Sequence, residues 1–178
     1  EELGKMMGEK QKHLLRGGIW RSFMVKYPES NHIHKRMSMI SQKVHNACRT
    51  NSVKGREAQI ELWKSQCNDA YWHGIFGGLY LPHLRSALFR HMLRAESIAS
   101  DIIKENTRID HSDFDCDGIE DIVINTKHIT LSATEKGGSL TELSLNKNAV
   151  NIFDILSRRP EAYHSKIAKA SNSNQGGA

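Results

Sequence analysis

The sequence predicts a mainly α protein: a small antiparallel helical bundle followed by a few antiparallel β-strands from an incomplete sandwich. Three observations predict it. Apolar residues recur at helical spacing in three stretches: Ile33, Met37, Ile40, Val44; then Ile60, Trp63, Cys67, Tyr71; then Leu84, Leu88, Met92, Ala95, Ala99, Ile102. Beyond Asn106 β-branched and polar residues alternate around Ile122, Ile124, Ile129 and Leu131, and again around Leu140, Leu143 and Leu145. Gly137-Gly138 stands between the two runs as a turn signal.

Taken in order, residues 2–14 allow one short helix, closed by Gly17-Gly18. Ile19 to Tyr27 reads as an apolar connector that stops at Pro28, and Pro28-Glu29-Ser30-Asn31 supplies the start of the second helix. Asn51 to Gly55 is a polar connector, after which a third helix is expected to run to about Trp72. Gly74 and Gly77-Gly78 interrupt it, and Pro82 suits the first turn of a fourth helix. The strands follow at 121–133 and 139–145; two or three strands cannot bury both faces, so the region reads as the start of a larger sheet. Segment 151–169 fits neither period, and the Ser/Asn/Gly-rich tail from Ser171 is expected to be mobile. The expected division is a helical bundle over 1–107, the start of a β-sandwich over 108–169, and a tail over 170–178.

The composition is ordinary globular chemistry, 38% hydrophobic and 25% charged over 178 residues. No apolar run reaches the roughly 18 residues of a membrane span, so no membrane partner is expected. The chain opens on Glu1-Glu2 without a secretory leader and reads as a piece of a longer protein. Cys48, Cys67 and Cys116 are odd in number and widely spaced, which suits reduced thiols and a cytoplasmic setting. Residues 1–56 carry 12 Lys/Arg against 4 Asp/Glu, whereas residues 110–121 carry six acidic groups and no Lys or Arg. The basic part leaves open a helical module that binds nucleic acid or a protein partner. The basic residues are scattered through an amphipathic pattern, however, which favours a solvated helical surface and no nucleic acid.

The densest chemistry lies at Asn68-Asp69-Ala70-Tyr71-Trp72-His73, where an amide, a carboxylate, two aromatic rings and an imidazole fall within six residues. Helical spacing would set Asp69 beside His73 and Asn68 beside Trp72. Sugar binding needs this mixture: flat apolar faces for the C–H side of a ring, planar polar groups for its hydroxyls. The glycines that follow would let backbone approach a ligand closely. The alternative is that Tyr71, Trp72 and Phe76 anchor the core while Asp69 caps local backbone.

A second motif is Asp113-Phe114-Asp115-Cys116-Asp117-Gly118-Ile119-Glu120-Asp121. Carboxylates from alternate residues around a Gly turn suit a hard, oxygen-seeking ion such as Ca²⁺, with Asp113, Asp115, Asp117 and Asp121 as ligands. Ile124 stands at position twelve, where a full EF-hand requires Glu. A solvated acidic loop is the alternative. The pairs His32/His34 and His83/His91 lack a third ligand at zinc spacing, and no phosphate loop or nucleophile elbow is present.

The run Gln66-Cys67-Asn68-Asp69-Ala70-Tyr71-Trp72-His73-Gly74, continuing through Phe76-Gly77-Gly78 and Tyr80-Leu81-Pro82-His83-Leu84-Arg85, resembles a signature of glycoside hydrolase family 57, in its 4-α-glucanotransferase and α-amylase-like branch. Trp20-Arg21-Ser22-Phe23, Lys26 to Asn31, and His34-Lys35-Arg36-Met37 are similar to another stretch of those enzymes, and Glu135 to Ser139 and Arg158 to His164 to their next domain. The resemblance implies a (β/α)7 barrel, then a helical domain, then a β-sandwich. It places the catalytic Glu nucleophile and Asp acid/base on the barrel, and no residue here matches those motifs, so none is catalytic. The chain would then be a non-catalytic portion of a retaining α-1,4-glucan-acting enzyme, inactive alone, with a glucan or maltooligosaccharide and the missing barrel and sandwich as partners. By the same resemblance Asp69 and Trp72, with Asn68 and His73 adjacent, bind sugar near the cleavage point. Trp72 would stack on a glucose face, and Asp69 would accept hydroxyls or orient His73. His34, Lys35 or Arg36 would hold the helix facing the barrel, or remain solvated charge.

Overall fold

The computed structural model describes residues 19–73, 77–156, 158–161 and 164. The expected helix over 2–14 and the tail lie outside the described residues. The stretch read as a connector contains a short helix, α1 (Trp20–Lys26). It ends because Tyr27 must leave the helical region ahead of Pro28. Pro28 opens α2 (Pro28–Thr50), and Ile33, Met37, Ile40 and Val44 are all buried along it, as the spacing predicts. Arg36 and Lys43 are buried there as well.

Asn51 alone joins α2 to α3 (Ser52–Lys64), its Oδ1 accepting from the Lys54 backbone N–H at 3.1 Å. The two helices approach so closely that a Cβ on Gly55 would fall 2.5 Å from the Cys48 Cα. The expected third helix is corrected in both length and phase. It stops at Lys64, well before Trp72, and its buried residues are Gly55, Ala58 and Leu62. Ile60 and Trp63 are exposed, Trp63 lying under the Arg56 guanidinium at 4.4 Å. Small side chains win the inner face because only they permit this approach to α2. Past Lys64, Ser65 Oγ donates to Leu62 O at 2.6 Å and Tyr71 Oη to Ser65 O at 2.8 Å, which turns the chain off the helix axis. Two single 3₁₀ turns, Asn68–Ala70 and Gly78–Tyr80, lead into α4 (Pro82–Ile103). Helices α2, α3 and α4 pack pairwise around an apolar core that includes Ile40, Val44, Ala58, Leu79, Met92, Ala95 and Ala99. No described helix is long and apolar enough to cross a membrane.

Among the described residues five strands follow, against the two or three expected: β1 (Thr107–Ser112), β2 (Asp121–Thr126), β3 (Ile129–Thr134), β4 (Ser139–Leu145) and β5 (Val150–Asn151). Each pairs antiparallel with its sequence neighbour in the order β1-β2-β3-β4-β5. β1 escapes a pattern reading because it alternates almost nothing apolar and is largely exposed. The register sets Ile109, Ile124, Leu131 and Leu143 in one cross-strand row. That row belongs to the outward face. The buried side chains of β2–β4 are Asp121, Val123, Asn125, Thr130, Ser132, Glu142 and Ser144, nearly all polar.

The sheet therefore meets the helices through polar chemistry. Arg36, 1% exposed, donates from Nη1 and Nη2 to Glu96 (3.2 and 2.6 Å) and from Nε to Glu142 (3.0 Å). Burial opposes its charge, but the two carboxylates outweigh this and push its pKa up. Ser144 Oγ donates to the other oxygen of Glu142 at 2.8 Å. Lys43 Nζ pairs with Glu105 and donates to Asn125 Oδ1 at 3.3 Å. Arg36 thus faces the sheet, which corrects both the barrel-facing and the solvated expectation for that residue. Beyond β5 the chain turns back: Arg85 Nε donates to Asp154 Oδ1 at 2.6 Å, and Arg159 Nη2 to both Glu29 oxygens at 2.9 and 3.1 Å.

Candidate functional site

The expected sugar-binding residues lie on a 3₁₀ turn and the segment after it, not on an α-helix; Trp72 N–H still donates to Asn68 O at 3.1 Å, an i to i+4 bond, but Asp69 and His73 are not paired. Asn68, Asp69 and Trp72 are exposed, Trp72 at 52%, while His73 is 8% exposed and turned inward. Asp69 does not orient His73; its Oδ2 accepts from Cys67 Sγ at 3.8 Å. The glycine pair shapes this corner. Gly78 sits at φ +54°, and a Cβ there would fall 2.1 Å from the Trp72 carbonyl oxygen. With only hydrogen in the way, the chain folds back and Leu79 N–H donates to Trp72 O at 2.7 Å. The glycine freedom assigned to ligand approach serves the chain's approach to itself.

Trp72 is held from behind. Its ring stacks on Phe23 (5.2 Å, 22°), and Phe23 stacks in turn on Trp20 (5.7 Å, 10°) and Tyr27 (4.5 Å, 30°). Trp20 is itself 41% exposed, so two indoles on one phenyl present open surface. Tyr71 is buried and does serve the core, its hydroxyl pKa raised by burial. His34, edge-on to both Trp20 and Tyr71, has its pKa lowered first by burial and then by Lys35.

His73 Nδ1 donates to Gly77 O at 2.9 Å, which fixes the proton on that nitrogen because a carbonyl offers none. The ring stands edge-on to Tyr80 (4.5 Å) and 5.7 Å from Tyr27. Its Nε2 lies 3.8 Å from Glu161 Oε1. Sequence reasoning missed Glu161 as part of this corner, because it lies 88 positions from His73 in a segment that shows no helical or strand period.

The acidic loop between β1 and β2 is a separate place. Asp113, Asp115 and Asp117 bring carboxylate oxygens within 4.8 Å of one another. The loop winds around them: Asp117 N–H donates to Asp113 Oδ1 (3.0 Å) and Asp115 Oδ1 (3.2 Å), and Gly118 N–H to Asp113 Oδ2 (3.0 Å). Asp121 lies behind this trio, 4% exposed, and its Oδ2 has no hydrogen-bond partner among the described residues. Its pKa is raised by burial and by Asp115, with Asp117 adding to it. Asp115, Asp117, Asp121 and His32 wall one end of a cleft of about 520 Å³ between the starts of α2 and α4 and the sheet.

Helices in front, a polar-faced sheet behind, and an aromatic corner on the turn between α3 and α4 define a two-part module, a helical unit backed by an antiparallel sheet. The profile of the middle domain of "Alpha-amylase/4-alpha-glucanotransferase" matches residues 18–99, and that of the C-terminal domain matches residues 113–178. The chain belongs to the alpha-amylase/4-alpha-glucanotransferase family, carrying its middle domain and part of its C-terminal domain. It is 41% identical over 163 residues to Alpha-amylase 1 of Dictyoglomus thermophilum, covering 91% of this chain and 23% of that protein. It is 43% identical over 165 residues to the 4-alpha-glucanotransferase of Thermococcus litoralis, covering 92% and 23%. The crystal structure of 4-alpha-glucanotransferase from Thermococcus litoralis superposes with a TM-score of 0.73 at 42% identity, covering 92% of this chain and 23% of that one. The chain thus spans about a quarter of the length of the curated relatives it matches.

Proposed function

We propose that the chain is a non-catalytic portion of an α-1,4-glucan-acting enzyme of the 4-α-glucanotransferase/α-amylase type, and that its aromatic corner holds the sugar chain beside the bond being broken. The observation that carries this reading is an indole half open to solvent yet fixed from behind by Phe23, with exposed Asn68 and Asp69 one turn away. The Trp72 face covers the apolar side of a glucose ring; Asn68 and Asp69 take its hydroxyls. His73 supports the corner from inside. The reaction's two carboxylates belong to a barrel outside this chain, where retention proceeds through a glycosyl-enzyme intermediate. Of the basic residues in 1–56 that suggested nucleic acid, Lys26, Arg36 and Lys43 are each engaged with a carboxylate of this chain.

The test is maltoheptaose binding followed by tryptophan fluorescence. Trp72→Ala is expected to weaken binding at least tenfold, the loss of about 1.4 kcal/mol of ring contact. Unchanged affinity in a folded variant, or salt-sensitive binding of duplex DNA in place of the glucan, would overturn the reading.

The acidic loop is the second element of the proposal. Its donors are all carboxylate oxygens, the chemistry of a Ca²⁺ site, and the buried Asp121 oxygen supports a cation at this place. Asp113, Asp115 and Asp117 would hold the ion and Asp121 would neutralise it from behind. Millimolar Ca²⁺ is expected to raise the thermal midpoint by mass action, and Asp115→Ala to remove that rise. Equal midpoints in EDTA and in Ca²⁺ would leave the loop merely acidic.

A further inference from the structure

Glu161 is a carboxylate with almost no access to water: it is 7% exposed and belongs to the segment that returns from the sheet to the helices. Nothing in the sugar reading uses it. Its surroundings are unusually complete. Oε1 accepts from Tyr27 Oη at 2.7 Å and Tyr80 Oη at 3.1 Å, and Oε2 accepts from Lys26 Nζ at 3.2 Å. Burial alone would push its pKa up, but the hydrogen bonds from Tyr27, Lys26 and Tyr80 outweigh burial and hold it below the ordinary carboxylate range. The backbone is pinned as well: Glu161 N–H donates to His164 Nδ1 at 3.0 Å, and Arg159 N–H to Tyr80 Oη at 3.1 Å.

From this carboxylate a short relay of contacts leads to the open indole. Tyr27, on Glu161, stacks on Phe23, and Phe23 stacks on Trp72. A second branch runs through Tyr80, which meets His73 edge-on next to Trp72 in sequence. Aromatic rings slide over one another cheaply, whereas a hydroxyl donating to an anion has one short geometry. The anion is therefore the fixed point of the stack.

We propose that Glu161 is a positioning residue, one that never meets the sugar but sets the angle and stiffness of Trp72 through Tyr27 and Phe23 and of His73 through Tyr80. The inference rests on the sugar-binding reading for its consequence, but the positioning itself is measurable without sugar. The segment that follows the sheet thereby completes a site carried by the helices.

The experiment uses the full 178-residue chain labelled with 5-fluorotryptophan, whose three indoles (Trp20, Trp63, Trp72) give three ¹⁹F resonances assignable by single Trp→Phe variants. Glu161→Ala is expected to shift and broaden the Trp72 line while the Trp63 line stays in place, and to weaken maltoheptaose binding about tenfold. Glu161→Gln keeps an acceptor for the tyrosine hydroxyls and is expected to recover most of both. A Trp72 line and an affinity that stay unchanged in a cooperatively melting Glu161→Ala chain would overturn the proposal. If that variant does not fold, Tyr27→Phe and Tyr80→Phe each remove one donor, and the same shift at smaller size is expected from each. Absence of the shift in both overturns the proposal equally. If Trp72→Ala binds maltoheptaose as the parent does, the sugar reading fails while the ¹⁹F shift still decides what Glu161 does.

Discussion

Between α2, α3 and α4 the buried residues include Ile40, Val44, Ala58, Leu88, Met92 and Ala99; between those helices and the sheet they are mostly polar, Arg36, Lys43, Glu96, Asn125, Thr130, Glu142 and Ser144, with Val123 apolar among them. The first interface is non-directional and tolerates changes of shape that preserve volume. The second is directional: the Arg36 fork satisfies both carboxylates only when β4 lies at one height against α2 and α4. Apolar packing makes the helical part stable, and the ion network decides where the sheet sits on it.

The difference can be broken most severely at Arg36. Arg36→Met strands Glu96 and Glu142 in the interior, and a loss of about 3–5 kcal/mol is expected in urea unfolding. Replacing all three (Arg36→Met, Glu96→Leu, Glu142→Leu) is expected to return stability to near the parent value or above it. If the single change costs under about 1 kcal/mol, water reaches the network and the contrast between the interfaces is false.

In the helical core Ile40→Ala is expected to cost about 3 kcal/mol through lost burial and the cavity left behind. The same titration should show the loss unaltered by 1 M salt, whereas the Arg36 network's contribution responds to ionic strength at its rim. A salt-dependent Ile40 effect would mean that helices and sheet unfold as one electrostatically coupled unit.

Acid sharpens the comparison at a third polar contact. Glu161 has its pKa depressed below the ordinary 4.5, so the stability it contributes is fully present above pH 4.5 and is lost as pH falls through the lower folded value. Proteolysis near residues 158–161 is expected to accelerate in that window while helical circular dichroism persists. Simultaneous loss of both signals would place Glu161 in the same cooperative unit as the core.

The smallest effect belongs to the sheet's outward face. Leu145→Thr is expected to change stability by no more than about 0.5 kcal/mol, because this side chain is 37% exposed. A larger loss would show that the outward face is covered in solution, and sedimentation would then reveal association.

Much of this architecture was legible from spacing alone. The α2 stripe is buried as read, and so is most of the α4 stripe, because long periodic runs over a protein core leave little ambiguity. α3 was misread because large side chains outweigh Gly55 and Ala58 in any hydropathy pattern, though the small pair makes the contact. The sheet shows a deeper limit. Alternation reveals two faces but not which one turns inward, and in β2–β4 the apolar residues Ile124, Leu131 and Leu143 point away from the helices. The available clue was on the partner: Arg36 and Lys43, seven apart on α2, share a face and require carboxylates opposite. At the candidate site Asn68, Asp69, Trp72 and His73 were found as a cluster, but their mutual geometry was not, since 3₁₀ turns replace the assumed helix. Glu161 carries no signal beyond the motif around it.

The sheet's strand order has a consequence for how the molecule forms. With β1 to β5 paired strictly in sequence order, every ladder closes a short loop, and the single-residue link at Asn51 does the same for α2 and α3. The bonds that span the halves are distant, 106 residues for Arg36–Glu142, 82 for Lys43–Asn125 and 134 for Tyr27–Glu161, and all are polar. Fast local zippering therefore comes first, and a slow docking event comes last. Its rate limit lies in desolvating charge, so a refolding chain should pass through a kinetic phase whose speed depends on dissolved ions while the earlier phases ignore them.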